Sequence, residues 1–224
     1  VANSAATNYC IASLDSCGNI GVLGTSHSTI KLSTTYDVCA RNTNLTWNAY
    51  QNLPLGVSHY QIYCSINAGP YIYLNSSTVT AYQHTNLTPG NTYWYLVRVF
   101  NAFGAITSSS NRSSLFASAP PASSFVYLKS ASVDPDQSVT VTLYCDTLVP
   151  CKGFNLYKSE DGISFNSIAF VPYNGKSTLY YNDAGVSTAY QNYYYRAEVI
   201  DSCGNARFTS NTGKTIVLKV KNDS

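Results

Sequence analysis

One segment of the chain occurs twice, at an offset of 100 residues. Residues 93–104 read YWYLVRVFNAFG, and residues 193–204 read YYYRAEVIDSCG. In both segments, large side chains recur at every second position before a glycine. A period of two residues places alternate side chains on opposite faces of a β-strand. Each segment therefore predicts a strand that buries one face, with Tyr93 or Tyr193 on that face, and then turns at the glycine.

A third, weaker copy lies near the N-terminus, where residues 9–18 read YCIASLDSCG. The glycines that end the three copies are spaced by 86 and 100 residues. This period is typical of small β-sandwich modules arranged in tandem. The alternation in this copy predicts three inward-facing residues: Tyr9, Ile11 and Ser13.

The pentapeptide DSCGN ends two of the copies, at residues 15–19 and 201–205. Asp and Asn side chains bond to nearby backbone groups, and Gly supplies a positive φ, so the pentapeptide predicts a turn. A catalytic Asp–Cys pair would need a neighbouring base, and no His is close in sequence. The sequence therefore favours turn chemistry over catalysis.

The composition is that of an all-β protein. Tyr occurs 20 times, charged residues make up only 11%, and no segment has a sustained helical period. The net charge of +2 is dispersed, and no apolar run approaches 18 residues, so we expect neither nucleic-acid binding nor membrane insertion. Seven Cys without a C-x-x-C motif favour an oxidising compartment over a zinc site.

Residues 36–118 resemble a fibronectin type III domain. The resemblance rests on LTW at 45–47, HYQIY at 59–63 and LTPGNTYWYLVRVFNAFG at 87–104. It implies a core built on Trp47 and alternate residues of strand C. It also implies a tyrosine corner, which here would be formed by three residues: Leu87, Pro89 and Tyr93.

A second fibronectin type III-like module is expected at 119–224, after the break SAPPAS. Leu143 stands where the core Trp is expected. No L-x-P precedes Tyr193, so the sequence does not decide whether this module has a tyrosine corner. Residues 1–35 hold two predicted strands, at about 8–14 and 26–33. We interpret them as the C-terminal two-strand remnant of a preceding module. The predicted fold class is all-β, with tandem immunoglobulin-like sandwiches.

The positions of the cysteines suggest two disulfides. Cys39 and Cys64 share an inward parity, which predicts a Cys39–Cys64 bridge. Cys145 and Cys151 close a short loop, which predicts a Cys145–Cys151 bridge. Cys203 competes for either pair, and the partners of Cys10 and Cys17 stay open.

The outward-facing residues of the strand predicted at 93–100 form the one surface feature that stands out in the sequence. Its residues are Trp94, Leu96, Arg98 and Phe100, an unusually apolar set for an outer sheet face. Either neighbouring side chains or modules cover this row, or it is a docking surface for a sugar or a protein. The three His are separated in sequence and the acids are scattered, so we expect no enzymatic activity, cofactor or metal. DPDQ at 134–137 favours a turn over a calcium site.

The long motifs at 45–71, 84–104 and 195–211 are similar to a narrower group. They resemble repeats of large Bacteroidetes cell-surface proteins that the type IX secretion system exports, among them gliding-motility proteins. The resemblance implies an extracellular, non-enzymatic structural or adhesin segment, a rigid spacer whose partners are neighbouring modules and possibly surface glycans or proteins. It also marks Thr147, in DTL, as an O-glycan candidate. The alternatives are a glycan- or protein-binding module that uses the Trp94 face, and the accessory region of a secreted hydrolase.

Overall fold

A computed structural model describes residues 5–104 and 107–217. Within these residues the secondary structure consists of β-strands, which confirms the predicted all-β class. The chain divides into two compact units, Val1–Ala119 and Pro120–Ser224. The predicted boundary between 118 and 119 lies one residue from this division.

The strands of the first unit are short, antiparallel and numbered in chain order. They are β1 (Asn8–Tyr9), β2 (His27–Ser28), β3 (Leu32–Asp37), β4 (Asn42–Trp47), β5 (His59–Ile66), β6 (Ile72–Ser77), β7 (Ala81–His84), β8 (Thr92–Phe100), β9 (Thr107–Ser109) and β10 (Ser113–Phe116). Those of the second unit are β11 (Val126–Val133), β12 (Val139–Cys145), β13 (Gly153–Ser159), β14 (Asn166–Pro172), β15 (Thr178–Asp183), β16 (Tyr194–Ile200), β17 (Ala206–Thr209) and β18 (Gly213–Lys214).

The first sandwich, β3 to β10, packs a three-stranded sheet against a larger one. The strand order is β3-β4-β7 in one sheet and β10-β8-β5-β6 in the other, with β9 also paired to β8. In sandwich lettering these are strands A-B-E facing G-F-C-C′, which is the fibronectin type III arrangement. The second sandwich, β11 to β18, repeats it as β11-β12-β15 and β14-β13-β16-β17, with β18 paired to β16. Both predicted sandwiches are confirmed.

Each sandwich has its own core, filled by the inward alternation of its strands. In the first, β8 follows the predicted parity, and Tyr93, Tyr95, Val97 and Val99 are buried. They pack with Trp47 and other residues of the facing sheet, such as Leu32, Leu45 and Leu87. In the second, the matching residues Tyr193, Tyr195, Ala197 and Val199 pack with Leu143, Phe154 and Leu156. Leu143 thus fills the place where the first sandwich has Trp47.

Strand β3 corrects the predicted start of the first module. It begins at Leu32, pairs with β4 from Leu32↔Trp47 onwards, and buries the Leu32 side chain. The predicted boundary between 35 and 36 therefore falls inside a core strand. The strand predicted at about 26–33 is in fact two strands: His27–Ser28 belongs to the hairpin, and Leu32 begins the first sandwich.

Both sandwiches contain a tyrosine corner. The Tyr93 hydroxyl accepts a hydrogen bond from the Thr88 backbone N–H at 2.9 Å, as the resemblance implied. The Tyr193 hydroxyl accepts one from the Ser187 N–H at 3.0 Å, although no L-x-P precedes it. The corner needs a backbone N–H at the right distance from the ring, which the loop at 184–192 supplies without proline.

A Ser-Asn pair braces each sandwich at the same position, 100 residues apart. Asn111 accepts the Leu32 N–H at 2.7 Å and donates to the Leu32 carbonyl at 3.2 Å. Asn211 forms the same two bonds with Leu128, at 2.9 and 3.1 Å. The serine before each asparagine accepts a β8 or β16 N–H, from Val97 or Ala197. The pair therefore links strand F to strand A of the opposite sheet.

The N-terminal hairpin is attached to the first sandwich at its base. β1 pairs with β2, and Asn52 Nδ2 donates to the Ser26 carbonyl at 2.6 Å. Tyr9 and Ile11, which the alternation predicted to face inwards, are 55% and 84% exposed. That prediction is wrong for this structure, because no second sheet faces the hairpin within the described residues.

No helix long and apolar enough to span a membrane occurs among the described residues.

The two corners yield a stability prediction. Tyr93→Phe and Tyr193→Phe each remove the hydroxyl and leave a backbone N–H without its acceptor. We expect each substitution to lower the free energy of unfolding by about 1–2 kcal/mol, since an unmade hydrogen bond at a shielded donor costs this much. Urea denaturation followed by circular dichroism measures the change. Tyr190→Phe, at an exposed position, is the control, and equal stabilities for all four proteins would contradict the corner assignment.

Candidate functional site

The four predicted surface residues lie on the outer face of β8. Trp94, Leu96, Arg98 and Phe100 alternate with the buried tyrosines and valines of that strand. Their cross-strand neighbours on β5 are Ser65, Tyr63, Gln61 and His59, in that order. The row is therefore part of the outer surface of the β10-β8-β5-β6 sheet.

One end of this row is covered by side chains of β5. The His59 ring stacks on Phe100, with the ring centroids 5.2 Å apart and the planes 4° from parallel. The Arg98 guanidinium lies 5.5 Å from the centre of the Tyr63 ring. Tyr63 is itself fixed by a 2.6 Å hydrogen bond from its hydroxyl to Gln61. Leu96 and Phe100 are half-buried as a result. At this end, neighbouring side chains cover the row.

The other end of the row is open. Trp94 is paired with Ser65 on β5 and Ser114 on β10, and these two small neighbours leave the indole 36% exposed. It lies in a hollow of about 180 Å³ that Tyr71 and Arg112 also line. The Arg112 guanidinium lies 5.9 Å from the centre of the Tyr71 ring. Trp94, Tyr71 and Arg112 are called the Trp94 hollow below.

The turn beside the hollow is held firmly. Asn67 donates its N–H to the Thr92 carbonyl at 2.9 Å, and its side-chain oxygen accepts the Thr92 N–H at 2.9 Å. The Ser65 hydroxyl donates to the Gly69 carbonyl at 2.6 Å. Asn67 and Ala68 both have positive φ, 51° and 61°, and such backbone persists where its surroundings fix it. These hydrogen bonds therefore fix the backbone at the edge of the Trp94 hollow.

Sequence reasoning found Trp94 but missed Tyr71 and Arg112. Tyr71 follows the C–C′ turn and Arg112 precedes strand β10, so the two approach Trp94 from opposite sides. Neither position has an alternation signal, because both lie outside the strands. Only the register of β5, β8 and β10 brings them together.

The equivalent face of the second sandwich is closed by internal contacts. Arg196 lies between two rings, 5.7 Å from the centre of Tyr157 and 4.1 Å from that of Phe165. Glu198 accepts hydrogen bonds from the Tyr157 hydroxyl at 2.9 Å and from Asn155 at 3.3 Å. The two sandwiches therefore differ in their outer faces much more than in their cores.

The DSCGN segments form the same turn twice. Asp201 Oδ1 accepts the N–H groups of Cys203 and Asn205, both at 2.9 Å, and Asp15 Oδ1 accepts those of Cys17 and Asn19 at 2.9 and 2.8 Å. Gly204 and Gly18 have φ of 90° and 83°. The Asn19 side chain, more than any other contact, lowers the pKa of the Asp15 carboxyl. The predicted turn role is confirmed.

A buried tyrosine of strand F meets a polar side chain of strand E in each sandwich. In the first, His84 Nδ1 and the Tyr95 hydroxyl are hydrogen-bonded at 2.8 Å. In the second, the Tyr195 hydroxyl donates to Asp183 at 2.9 Å, and Lys158 forms an ion pair with the same carboxylate oxygen at 2.9 Å. Burial lowers the pKa of His84 and raises those of Tyr95 and Tyr195. These groups form contacts within the two cores.

The cysteines differ from the prediction. Cys39 is disulfide-bonded and so is Cys203, whereas Cys64, Cys145 and Cys151 are thiols. A Cys39–Cys64 bridge does not form because Cys39 lies in an exposed turn after β3, where its N–H donates to Asp37, while Cys64 is buried in β5. Burial raises the pKa of the Cys64 thiol to about 11.

The predicted Cys145–Cys151 bridge is also absent. The Cys145 thiol donates to the Lys176 carbonyl at 3.6 Å. The intervening loop is held by Asp146, which accepts the Leu148 N–H at 2.8 Å and also bonds to Ser124. Both cysteines are therefore buried thiols at the rim of the second core.

The surroundings of two further predicted positions, Thr147 and the turn at 134–137, are also visible in the structure. Thr147 is exposed, so the O-glycan candidate is accessible, although the Asp146 carboxylate beside it is buried and engaged. In the 134–137 turn, Asp134 and Asp136 accept hydrogen bonds from Ser138, and Thr140 also donates to Asp134. Within the described residues, no three His, Cys, Asp or Glu side chains are grouped to hold a metal.

Comparison with known proteins gives a match among solved structures only, at a low TM-score. No family model matches the chain, and no curated protein matches its sequence. Among solved structures, the chain is similar to the FN1–FN3 domains of chicken CNTN1, with 14% identity and a TM-score of 0.33. The match covers 84% of this chain and 64% of that chain, so this chain spans less than two thirds of its length. The fibronectin type III assignment rests on the strand orders given above.

The His84–Tyr95 contact predicts a pH dependence. The pKa of His84 in the folded protein lies below 6.5, its value in an unfolded chain. Below pH 6.5 the His84 side chain is protonated in the unfolded chain, whereas burial disfavours its protonation in the folded protein. The free energy of unfolding therefore falls as the pH falls. His84→Asn should flatten the stability curve between pH 7 and 5, as measured by urea denaturation. Superimposable curves for the variant and the parent would contradict this assignment.

Proposed function

We propose that this chain is a non-enzymatic structural and adhesion segment of an exported bacterial surface protein. Its tandem sandwiches act as rigid spacers between neighbouring modules of the parent chain. The observation that carries this proposal is that both interiors are filled by side chains, with His84, Asp183 and the buried tyrosine hydroxyls engaged in core contacts.

The fold supports a mechanical role. Strand F lies between strands C and G in each large sheet, and its tyrosines are hydrogen-bonded to strand E or the loop after it. The Ser-Asn pairs add a second tie between opposite sheets. The disulfide-bonded Cys39 and Cys203 fit an oxidising, extracellular location.

We interpret the N-terminal hairpin as the end of a preceding fibronectin-like module. Its turn at 15–19 has the same hydrogen bonds as the F–G turn at 201–205. Tyr9 and Ile11 stand where the complete copies bury Tyr95 and Val97, yet both are exposed. Exposed residues of this kind at core positions are expected of an incomplete sandwich. The sequence resemblance extends this proposal to a type IX-secreted Bacteroidetes protein, with Thr147 as its glycan acceptor.

The Trp94 hollow favours a second function, namely binding of a glycan or a protein by the outer face of the first sandwich. An exposed indole flanked by a second aromatic ring and an arginine is the kind of surface that anchors ligands. This function is compatible with the spacer, since an adhesin needs both. The remaining alternative is an accessory region of a secreted hydrolase.

The spacer proposal is tested by pulling on the chain with optical tweezers in the presence of reductant. We expect two discrete unfolding steps, one for each sandwich. Each step should lengthen the chain by roughly 250–300 Å, because an extended residue spans at most ~3.3–3.6 Å and each sandwich has nearly 90 residues between its first and last strands. Gradual extension without steps would show that the sandwiches do not resist force and would overturn the spacer role.

A further inference from the structure

The outer face that contains Trp94 has positive charge without any opposing carboxylate. Residues 1–119 contain four Lys or Arg and only two acids, Asp15 and Asp37. Asp15 lies in the N-terminal hairpin and Asp37 ends β3, which belongs to the opposite sheet. Arg98 and Arg112 therefore share the face of the β10-β8-β5-β6 sheet with aromatic and neutral side chains.

The second sandwich provides the contrast. On its equivalent face, Arg196 lies over the Phe165 ring, and Glu198 accepts a hydrogen bond from the Tyr157 hydroxyl. Arg112, in the first sandwich, has no carboxylate within ion-pair distance among the described residues. Its guanidinium rests near the Tyr71 ring and is available to an outside anion. An arginine is well suited to such an anion, because its planar fork binds a carboxylate through two parallel hydrogen bonds.

We infer that the Trp94 hollow binds a pyranose sugar that carries a carboxylate, such as a uronic acid. The inference rests on the proposed binding role of the Trp94 face and names its ligand. The indole is the floor, against which the apolar C–H face of a sugar ring packs. Arg112 pairs with the carboxylate. The Tyr71 hydroxyl, which has no partner among the described residues, lies where it can bond to a ring hydroxyl.

The dimensions of the hollow favour a sugar ring over a peptide. Its volume of about 180 Å³ is well below the ~300–1,000 Å³ of sites for drug-sized ligands, so one ring fits and a folded segment does not. The strand edges do not offer main-chain pairing here, because Trp94 is in β8, which is bonded to β5 on one side and to β10 on the other. An extended peptide could therefore not pair with β8 itself.

The test compares two probes that differ only at the carboxylate, methyl β-D-glucuronide and methyl β-D-glucoside. The complete chain is titrated with each, and the Trp94 indole N–H is followed by NMR. We expect the glucuronide to shift this resonance with an affinity at least about tenfold higher than that of the glucoside, which corresponds to ~1.4 kcal/mol. The preference should fall as salt rises, since the pair is exposed.

Three variants assign the effect. Trp94→Ala removes the reporting indole, so for this variant the resonances of the sugars are followed by saturation-transfer NMR, and binding of both sugars should be lost. Arg112→Gln should keep the weak binding of the glucoside and bring the glucuronide to the same affinity. Tyr194→Ala, at the corresponding position of β16, should leave both affinities unchanged. Unaltered urea denaturation of each variant shows that folding is retained.

The outcomes separate the ligand from the binding role. Equal affinities for the two sugars, or a preference that survives Arg112→Gln, would overturn the acidic-sugar assignment. If only an acidic peptide, tetraglutamate, shifts the Trp94 resonance, the face binds ligands but the sugar assignment is wrong. If none of the probes shifts it at tens of millimolar, both the assignment and the binding role of this face are wrong, while the pulling experiment still decides the spacer role.

Discussion

The fold depends on tyrosine hydroxyls that must find partners inside a sandwich. Tyr95 and Tyr195 are fully buried on strand F of their respective units. An unpaired hydroxyl in an apolar interior is costly, so each ring fixes a polar group on the facing sheet. His84 supplies it in the first sandwich and Asp183 in the second. The two sheets of each sandwich are therefore joined by a hydrogen bond between side chains, in addition to apolar packing.

The same position tolerates different chemistry as long as the hydroxyl is paired. Cys64 and Lys158 are the β5 and β13 residues opposite Tyr95 and Tyr195. In the first sandwich a neutral thiol lies opposite Tyr95, whereas in the second the lysine is paired with the aspartate. Each combination leaves no net charge unpaired inside its core. Because the interiors are closed in this way, differences in function between the two sandwiches must lie on their outer faces, where the first is open at Trp94 and the second is closed around Arg196.

Much of this structure follows from the sequence because the strands alternate. The parity of residues 93–100 and 193–200 predicted the buried and outward faces, and the glycine spacing predicted the number of complete sandwiches. The turn role of DSCGN followed from Asp, Asn and Gly chemistry alone. These features are local, so that a single segment contains the information that specifies them.

The features that the sequence did not predict depend on contacts between distant segments. Strand parity placed Cys39 inwards, but the strand ends at Asp37, and parity has no meaning in the turn beyond it. Asn111 and Asn211 look like ordinary loop residues until their partners in strand A are known. Arg112 joins Trp94 only through the pairing of β8 with β10. Core and turns were thus accessible from sequence, while the bracing contacts and the hollow were not.

The role of the buried hydroxyl is tested by a double-mutant cycle between Tyr195 and Asp183 of the second sandwich. Tyr195→Phe, Asp183→Ala and the double variant are compared with the parent by urea denaturation at neutral pH. A buried hydrogen bond to a carboxylate predicts a coupling free energy of about 1.5–3 kcal/mol between the two positions. Purely additive effects would show that the hydroxyl does not join the sheets, and would contradict the account.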